Sequence, residues 1–337
     1  MFSKILFLMY MFLMLFYFKL NRRRAPPILK KLTSNIQLKS IATKEGASGA
    51  VVFKARFQNK DVFAKVWCGL NGTFHLKHNR KSNKCRDDLY PNCRGRVAAT
   101  DGWICNARVL AALAKIAEES GLADIIPKVS FIKAHTTTPD NVLQNVHMAV
   151  FDAAPGQSYE ILQRTTKKDD FEKLLAKMSP KQIKQIALFD LLTGQMDRHP
   201  QNIFISPEGR LMAIDNDKTF AEINSVFLPG TEKHEICRVG YNLGRTCVKN
   251  GKCKADPKIV SVISSKCTLF DYRCHMGLIG KDYPAKFLNF LKKIDSMEES
   301  AVHTYFNFIN KHHTAFLKNR VHDLYMLGFE KTLEKSI

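Results

Sequence analysis

Asp197, Asn202 and Asp215 are spaced as a reaction centre would need them. The segment Asp197-Arg198-His199-Pro200-Gln201-Asn202 is followed by Ile214-Asp215-Asn216-Asp217. The asparagine comes five residues after the first aspartate and the second aspartate thirteen residues later, each beside an apolar run. Phosphoryl transfer from a nucleotide uses one carboxylate to accept or orient the proton of the attacking hydroxyl. It uses an amide oxygen and a second carboxylate to hold magnesium against the triphosphate. The pattern therefore points to ATP, with Mg2+ or Mn2+, as what the site would take. The plainer reading of the same residues is turn chemistry, with Asp and Asn as ordinary turn formers. The apolar helix before the motif and the hairpin after it favour the reaction centre.

Those neighbours must do the positioning. Pro180 to Leu192 has Ile183, Ile186, Phe189 and Leu192 on one stripe and reads as a buried helix that delivers Asp197 to a cleft. Ile203-Phe204-Ile205 and Leu211-Met212-Ala213-Ile214, around the turn Pro207-Glu208-Gly209, read as a hairpin that sets Asp215 on the facing side. Upstream, Val51–Ala55 and Asp61–Val66 alternate as two strands of a hairpin. Ala107–Glu119 reads as a helix with Val109, Leu110, Leu113 and Ile116 on one face, ended by Gly121. Pro127–Lys133 and Val146–Phe151 read as strands, Ala153-Ala154-Pro155-Gly156 as a hinge, and Asp169–Lys177 as a helix. From Pro284 to about Leu333 the pattern is helical. This order predicts an α+β, bilobal protein-kinase-like fold: a small β-rich N-lobe over 41–152 and a mainly helical C-lobe over 153–337.

The stretch 189–217 resembles the catalytic loop of the phosphatidylinositol 3-/4-kinase-related superfamily, whose motif runs Asp-Arg-His-x-x-Asn-Ile, and its secretory-pathway relatives of the four-jointed type. The resemblance implies Asp197 as catalytic base, Asn202 as a metal ligand and Asp215 as the main magnesium ligand. Arg198 and His199 would brace the loop or meet the phosphates, and Asp217 is an extra acidic contact without a clear family counterpart. Lys65, in Val62-Phe63-Ala64-Lys65-Val66, sits where the family keeps its phosphate-binding lysine. An inward lysine among apolar residues needs an anionic partner. In Glu45-Gly46-Ala47-Ser48-Gly49 the amides of Gly46, Ser48 and Gly49 would cover phosphates, although the full glycine pattern is missing and an ordinary hairpin turn reads equally well. Phe151 and Ala153, in Met148–Ala154, resemble the strand and hinge that meet adenine. One departure stands out. Ala107–Ile116 offers no glutamate for Lys65; Asn106 and Arg108 stand there instead, and Glu118 and Glu119 come late. A pseudokinase acting as a binding or regulatory module therefore stays open beside an active enzyme, as does a phosphoinositide (lipid) kinase.

Charge and cysteines bear on the setting. Among 337 residues, 52 Lys+Arg against 31 Asp+Glu give a net charge of +21, a field that draws polyanions and would favour an acidic acceptor. No RNA- or DNA-binding signature accompanies it, so nucleic acid is not an expected partner. Ile5 to Phe18 is unbroken and apolar with Lys19, Arg22, Arg23 and Arg24 behind it, so residues 1–20 read as a signal anchor and 21–40 as a basic linker. Nine cysteines fall in two groups, within candidate insertions over 68–105 and 228–283, and read as local disulfide staples. Asn71-Gly72-Thr73 is a glycosylation sequon in the first group. Together these predict a membrane-anchored protein of the secretory pathway (ER or Golgi) with a lumenal catalytic domain. Release after signal cleavage and a cytosol-facing orientation are the alternatives. The expected acceptor is a hydroxyl of a protein or glycan.

Overall fold

Alternating apolar residues in the first half of the chain build a six-stranded, mainly antiparallel sheet. In the computed structural model, which describes residues 29–31, 36–41, 51–68, 102–137, 143–195, 198, 200–217, 219–220, 246–249, 252–255 and 278–335, the strands are β1 (Leu29–Lys31), β2 (Ile36–Ile41), β3 (Val51–Phe57), β4 (Lys60–Cys68), β5 (Val129–Thr137) and β6 (Leu143–Asp152). Between β4 and β5 lies helix α1 (Gly102–Ser120). The strand order is β1-β5-β2-β3-β4-β6, and β5 also pairs with β6. Strands β2, β3, β4, β6 and β5 thus form a closed ring of pairings. The β3–β4 hairpin turns at Gln58 and Asn59, both left-handed at φ 48° and 62°, as a two-residue turn matched to strand twist requires.

The period of two sorts the side chains. Phe53, Ala55, Val62, Ala64, Ile132, Met148 and Val150 close a small core with Ile36. Their neighbours Phe131 and Ala149 belong instead to the larger core. Lys65, directly after Ala64 on β4, alternates to that second face.

The rest of the chain is mainly helical. After β6 come β7 (Gln157–Ser158), α2 (Tyr159–Thr165), α3 (Lys168–Ala176), α4 (Pro180–Thr193), a 3-10 turn at Pro200–Asn202, and strands β8 (Ile203–Ile205) and β9 (Leu211–Ala213). Strands β7, β8 and β9 form a three-stranded sheet. A separate hairpin joins β10 (Thr246–Lys249) and β11 (Lys252–Ala255). The chain then runs through α5 (Ala285–Ser296), α6 (Glu299–Phe306), α7 (Lys311–Leu327) and α8 (Phe329–Lys335). Leu113 and Ile116 of α1, Ile186 and Phe189 of α4, Phe287 and Leu291 of α5 and Leu317 and Val321 of α7 share one core. Helix α1 thus packs on the helices as well as on the sheet.

The expected hairpins, α1, α3 and α4 are present with small shifts of boundary, so the α+β class holds. Three differences have physical causes. Residues 29–31 and 36–40 of the supposed basic linker are strands, because β5, about a hundred residues away, pairs with both and β3 pairs with the second. Cys68 and Cys105, placed in the first insertion, lie on β4 and α1. Helix α2 was not anticipated; it starts at Ser158, whose Oγ accepts from the Ile161 amide at 3.4 Å, a side-chain N-cap. The hinge residues 153–156 carry no helix or strand. Gly156 there has φ 78°, and a Cβ on it would lie 2.0 Å from the Ile205 carbonyl oxygen. Residues 1–20, the sequon and 69–101 lie outside the described residues. So do the side chains of Cys247 and Cys253, which sit opposite Lys254 and Val248 in the β10–β11 register. Among the described residues no helix is long and apolar enough to cross a membrane.

Candidate active site

Two loops and one strand meet at the site. Lys65 comes from the middle of β4, hydrogen-bonded on both sides, opposite Val52 of β3 and Ala149 of β6. That double pairing fixes where its backbone stands. Its Nζ donates to Asp215 Oδ1 at 2.8 Å and to Asp217 Oδ2 at 2.6 Å. The sequence-predicted lysine and metal-binding aspartate therefore meet across 150 residues of chain. Lys65 and Asp217 are nearly sealed, with side chains 8% and 5% exposed, while Asp215 keeps 21%. Asp215 stands at φ 54°, a left-handed backbone that Asp and Asn adopt more readily than other non-glycine residues.

A buried hub underlies this cluster. Arg198 and Asp190 are 0% and 1% exposed at the side chain and pair at 2.9 Å. The guanidinium also donates to the carbonyls of Asn202 at 3.1 Å and Ile214 at 2.7 Å, and to Asn216 Oδ1 at 2.5 Å. Asn216 Nδ2 donates to the Ala213 carbonyl at 3.0 Å, and the Ile214 amide to the Asn202 carbonyl at 2.9 Å. One arginine thus ties α4, the turn at Asn202 and the end of β9 together. Of the two roles expected for Arg198, bracing the loop is the one its contacts fit. Asn216 turns to the hub while Asp215 and Asp217 turn to Lys65, so successive side chains serve opposite sides of the strand end.

The way into and out of this loop is also held. Helix α4 ends at Gly194 in a left-handed cap at φ 60°. A Cβ there would stand 2.3 Å from Phe316 Cζ, so glycine is required. Gln195 Nε2 then reaches the Asp215 carbonyl at 3.4 Å. Beyond Asp217, the Phe220 amide donates to the Thr193 carbonyl at 2.8 Å. The Phe220 ring packs against Phe308 at 5.2 Å and His313 at 5.5 Å.

Burial and charge act together on the carboxylates. Burial pushes Asp217 up to about 6; the Lys65 ammonium pulls it down and the neighbouring Asp215 charge adds to the rise. Burial likewise pushes Asp190 above the usual carboxylate range, against the opposing charge and hydrogen bonds of Arg198. The donors suit a hard cation: two carboxylates already converge on one ammonium group, and Asn202, 5% exposed, lies in the adjoining turn. Oxygen ligands of this kind, with phosphate oxygens and waters completing the shell, fit magnesium or manganese. Among the described residues no three His, Cys, Asp or Glu side chains gather as an all-protein metal cage. Magnesium does not need one when it is held by one or two protein oxygens and the nucleotide.

The remaining candidates divide by place. Phe151, at the end of β6, packs against the large core, and Ala153 just beyond it is exposed. Gly46, Ser48, Gly49, Asp197 and His199 lie outside the described residues. Helix α1 carries no acid from Gly102 to Ala117, where the glutamate for Lys65 was sought, and its two glutamates, Glu118 and Glu119, come only at its end. Asn106 is buried there, and its Nδ2 has no hydrogen-bond partner among the described residues. Sequence reasoning overlooked Asp190. Its signal was available: a lone carboxylate inside Ile186–Leu192, an otherwise apolar run, must be paired when buried. No protein-family model matches the chain, and no curated protein matches it.

Proposed function

We propose that this chain is an ATP-dependent kinase with a bilobal, protein-kinase-like architecture carrying Cys-containing insertions. It transfers the γ-phosphoryl group of ATP to a hydroxyl of a protein or glycan acceptor in the secretory pathway. The observation that carries this reading is the meeting of Lys65 with Asp215 at 2.8 Å. Phosphoryl transfer needs a cation for the nucleotide phosphates and a carboxylate for the metal at one point, delivered by separate elements. A surface ion pair would need neither the burial nor the central strand.

The roles follow from position. Lys65 meets the phosphates from the sheet side. Asn202 and Asp215 hold the metal from the turn and the end of β9, and Asp197, by its place in the motif, takes the proton of the acceptor hydroxyl. Arg198 keeps the turn and the β9 end in register through carbonyls on both. Bound magnesium supplies charge neutralisation along the triphosphate. The absent helix glutamate was the reason to hold a pseudokinase open. Lys65 finds two carboxylates without it, which favours the active reading.

The test is incubation of the purified chain with labelled ATP, Mg2+ or Mn2+, and a panel of protein, glycan and lipid acceptors. Metal-dependent labelling of a protein or glycan is expected, and Asp197→Ala should abolish it in a folded protein. Transfer to lipid vesicles alone would give the reaction to a phosphoinositide kinase. Nucleotide binding without transfer to any acceptor would give it to a pseudokinase, and full activity in Asp197→Ala would remove the mechanism.

A further inference from the structure

We propose that Asp217 is a positioning residue that holds Lys65 in the cleft in place of a glutamate from α1. What Lys65 then does rests on the kinase reading; the pairing itself does not. A lysine on a central strand with 8% of its side chain exposed needs a counter-charge that stays put. Helix α1 does not supply it. Gly102 to Ala117 contains no Asp or Glu. Glu118 is exposed, and Glu119 is committed to Lys293 at 3.0 Å and to the Tyr305 hydroxyl. Those contacts tie the end of α1 to α5 and α6, away from Lys65.

The two aspartates on Lys65 are not equivalent. Asp215 is the more open, at 21% against 5% for Asp217. Asp217 also lies between two anchors. Asn216 before it is held by Arg198 and the Ala213 carbonyl. Phe220 after it is fully buried and bonded back to Thr193. A carboxylate fixed from both sides can keep the ammonium in place while its more exposed neighbour turns to whatever enters the cleft. The arrangement moves the lysine's counter-charge from a helix of the β-rich part to the loop that already carries Asp215. The two functional groups are then set by one segment, and the position of α1 no longer governs them.

The experiment reads the Lys65 amine directly. The full chain is trace-labelled with isotopically coded acetic anhydride, and modification of Lys65 is quantified by mass spectrometry with and without Mg-ATP, alongside a melting curve. Asp217→Asn is expected to raise Lys65 reactivity several-fold, because the amine loses its more buried partner, and Asp217→Glu to reverse most of that rise. Asp215→Asn, Glu118→Gln and Glu119→Gln are expected to change it much less. Equal reactivity in Asp217→Asn and wild type would overturn the proposal, as would a larger release in Glu119→Gln or Asp215→Asn. If Asp217→Asn does not fold, Lys65→Met/Asp217→Asn decides. Recovery of folding in the double variant supports the pairing; no recovery where Lys65→Met alone folds overturns it. Protection of Lys65 by Mg-ATP reports separately. Protection unchanged by Asp217→Asn, with unchanged reactivity, sinks this proposal and leaves the kinase reading. No protection in wild type, with Lys65 still released by Asp217→Asn, sinks the kinase reading and leaves the pairing.

Discussion

Two ion clusters flank Asn216, and they differ in how much water they keep. Arg198 with Asp190 is closed to solvent and ringed by backbone carbonyls that the guanidinium satisfies. Lys65 with Asp215 and Asp217 has one cation facing two carboxylates, one of them partly open. The first arrangement has nothing left to bind. The second keeps one carboxylate, Asp215, partly open to solvent. Proximity in sequence therefore does not make residues equal in setting: Arg198, inside the most motif-like stretch of the chain, is sealed in the hub, while Asp215 keeps 21% of its side chain exposed.

That contrast can be broken experimentally. Arg198→Ala leaves the Asp190 carboxylate buried without its partner and should cost about 3–5 kcal/mol, read as a fall in the denaturant midpoint. A midpoint like wild type would show that the hub is not sealed as described. Asp215→Ala should lower phosphoryl transfer by about 10³-fold with a small change in the melting curve, the inverse profile. Equal losses of stability in both variants would erase the distinction. Gly194→Ala tests the join between the clusters. Its Cβ would stand 2.3 Å from Phe316 Cζ on a left-handed backbone, so a cost of about 1–3 kcal/mol is expected by thermal melt.

The smallest effect sharpens the comparison with a third, more exposed cluster. Burial alone would raise Glu119, but the Tyr305 hydroxyl and Lys293 outweigh it and hold the carboxyl below its usual value. A carboxyl lowered on folding stabilises above its unfolded pKa and loses that contribution as pH falls through the folded one. Glu119→Gln should therefore cost less than about 1 kcal/mol at neutral pH, as exposed pairs do. The gap to wild type should close as pH falls below about 4.5. Melting curves of the two proteins across that range check it.

Much of this was legible in the sequence where the signal was local. The hairpin over 51–66, the helix closed by Gly121 and the 203–213 hairpin each announce themselves by period and turn residues, and the polar motif between α4 and β8 pointed to the site. Its wiring was not legible. The strand at 29–31 depends on a partner about a hundred residues away, the one at 36–41 on that partner together with β3, and the stretch they lie in reads as a basic linker. Asp217 looked like an accessory acid because its counter-charge sits on another element. The missing helix glutamate looked like a defect for the same reason: a motif specifies which groups stand at which spacing along one segment, and nothing about which distant side chain completes them.

The 150-residue separation of Lys65 from Asp215 also has a consequence during synthesis. At about 5–20 residues per second, β4 leaves the ribosome roughly 8–30 s before the acids that its lysine meets. A chain truncated between Asp152 and Asp215 contains every strand of the six-stranded sheet, yet its lysine on β4 has neither aspartate to turn to. Completion of the ion cluster therefore marks the passage of the nascent chain beyond Asp217, before α5 to α8 have been made.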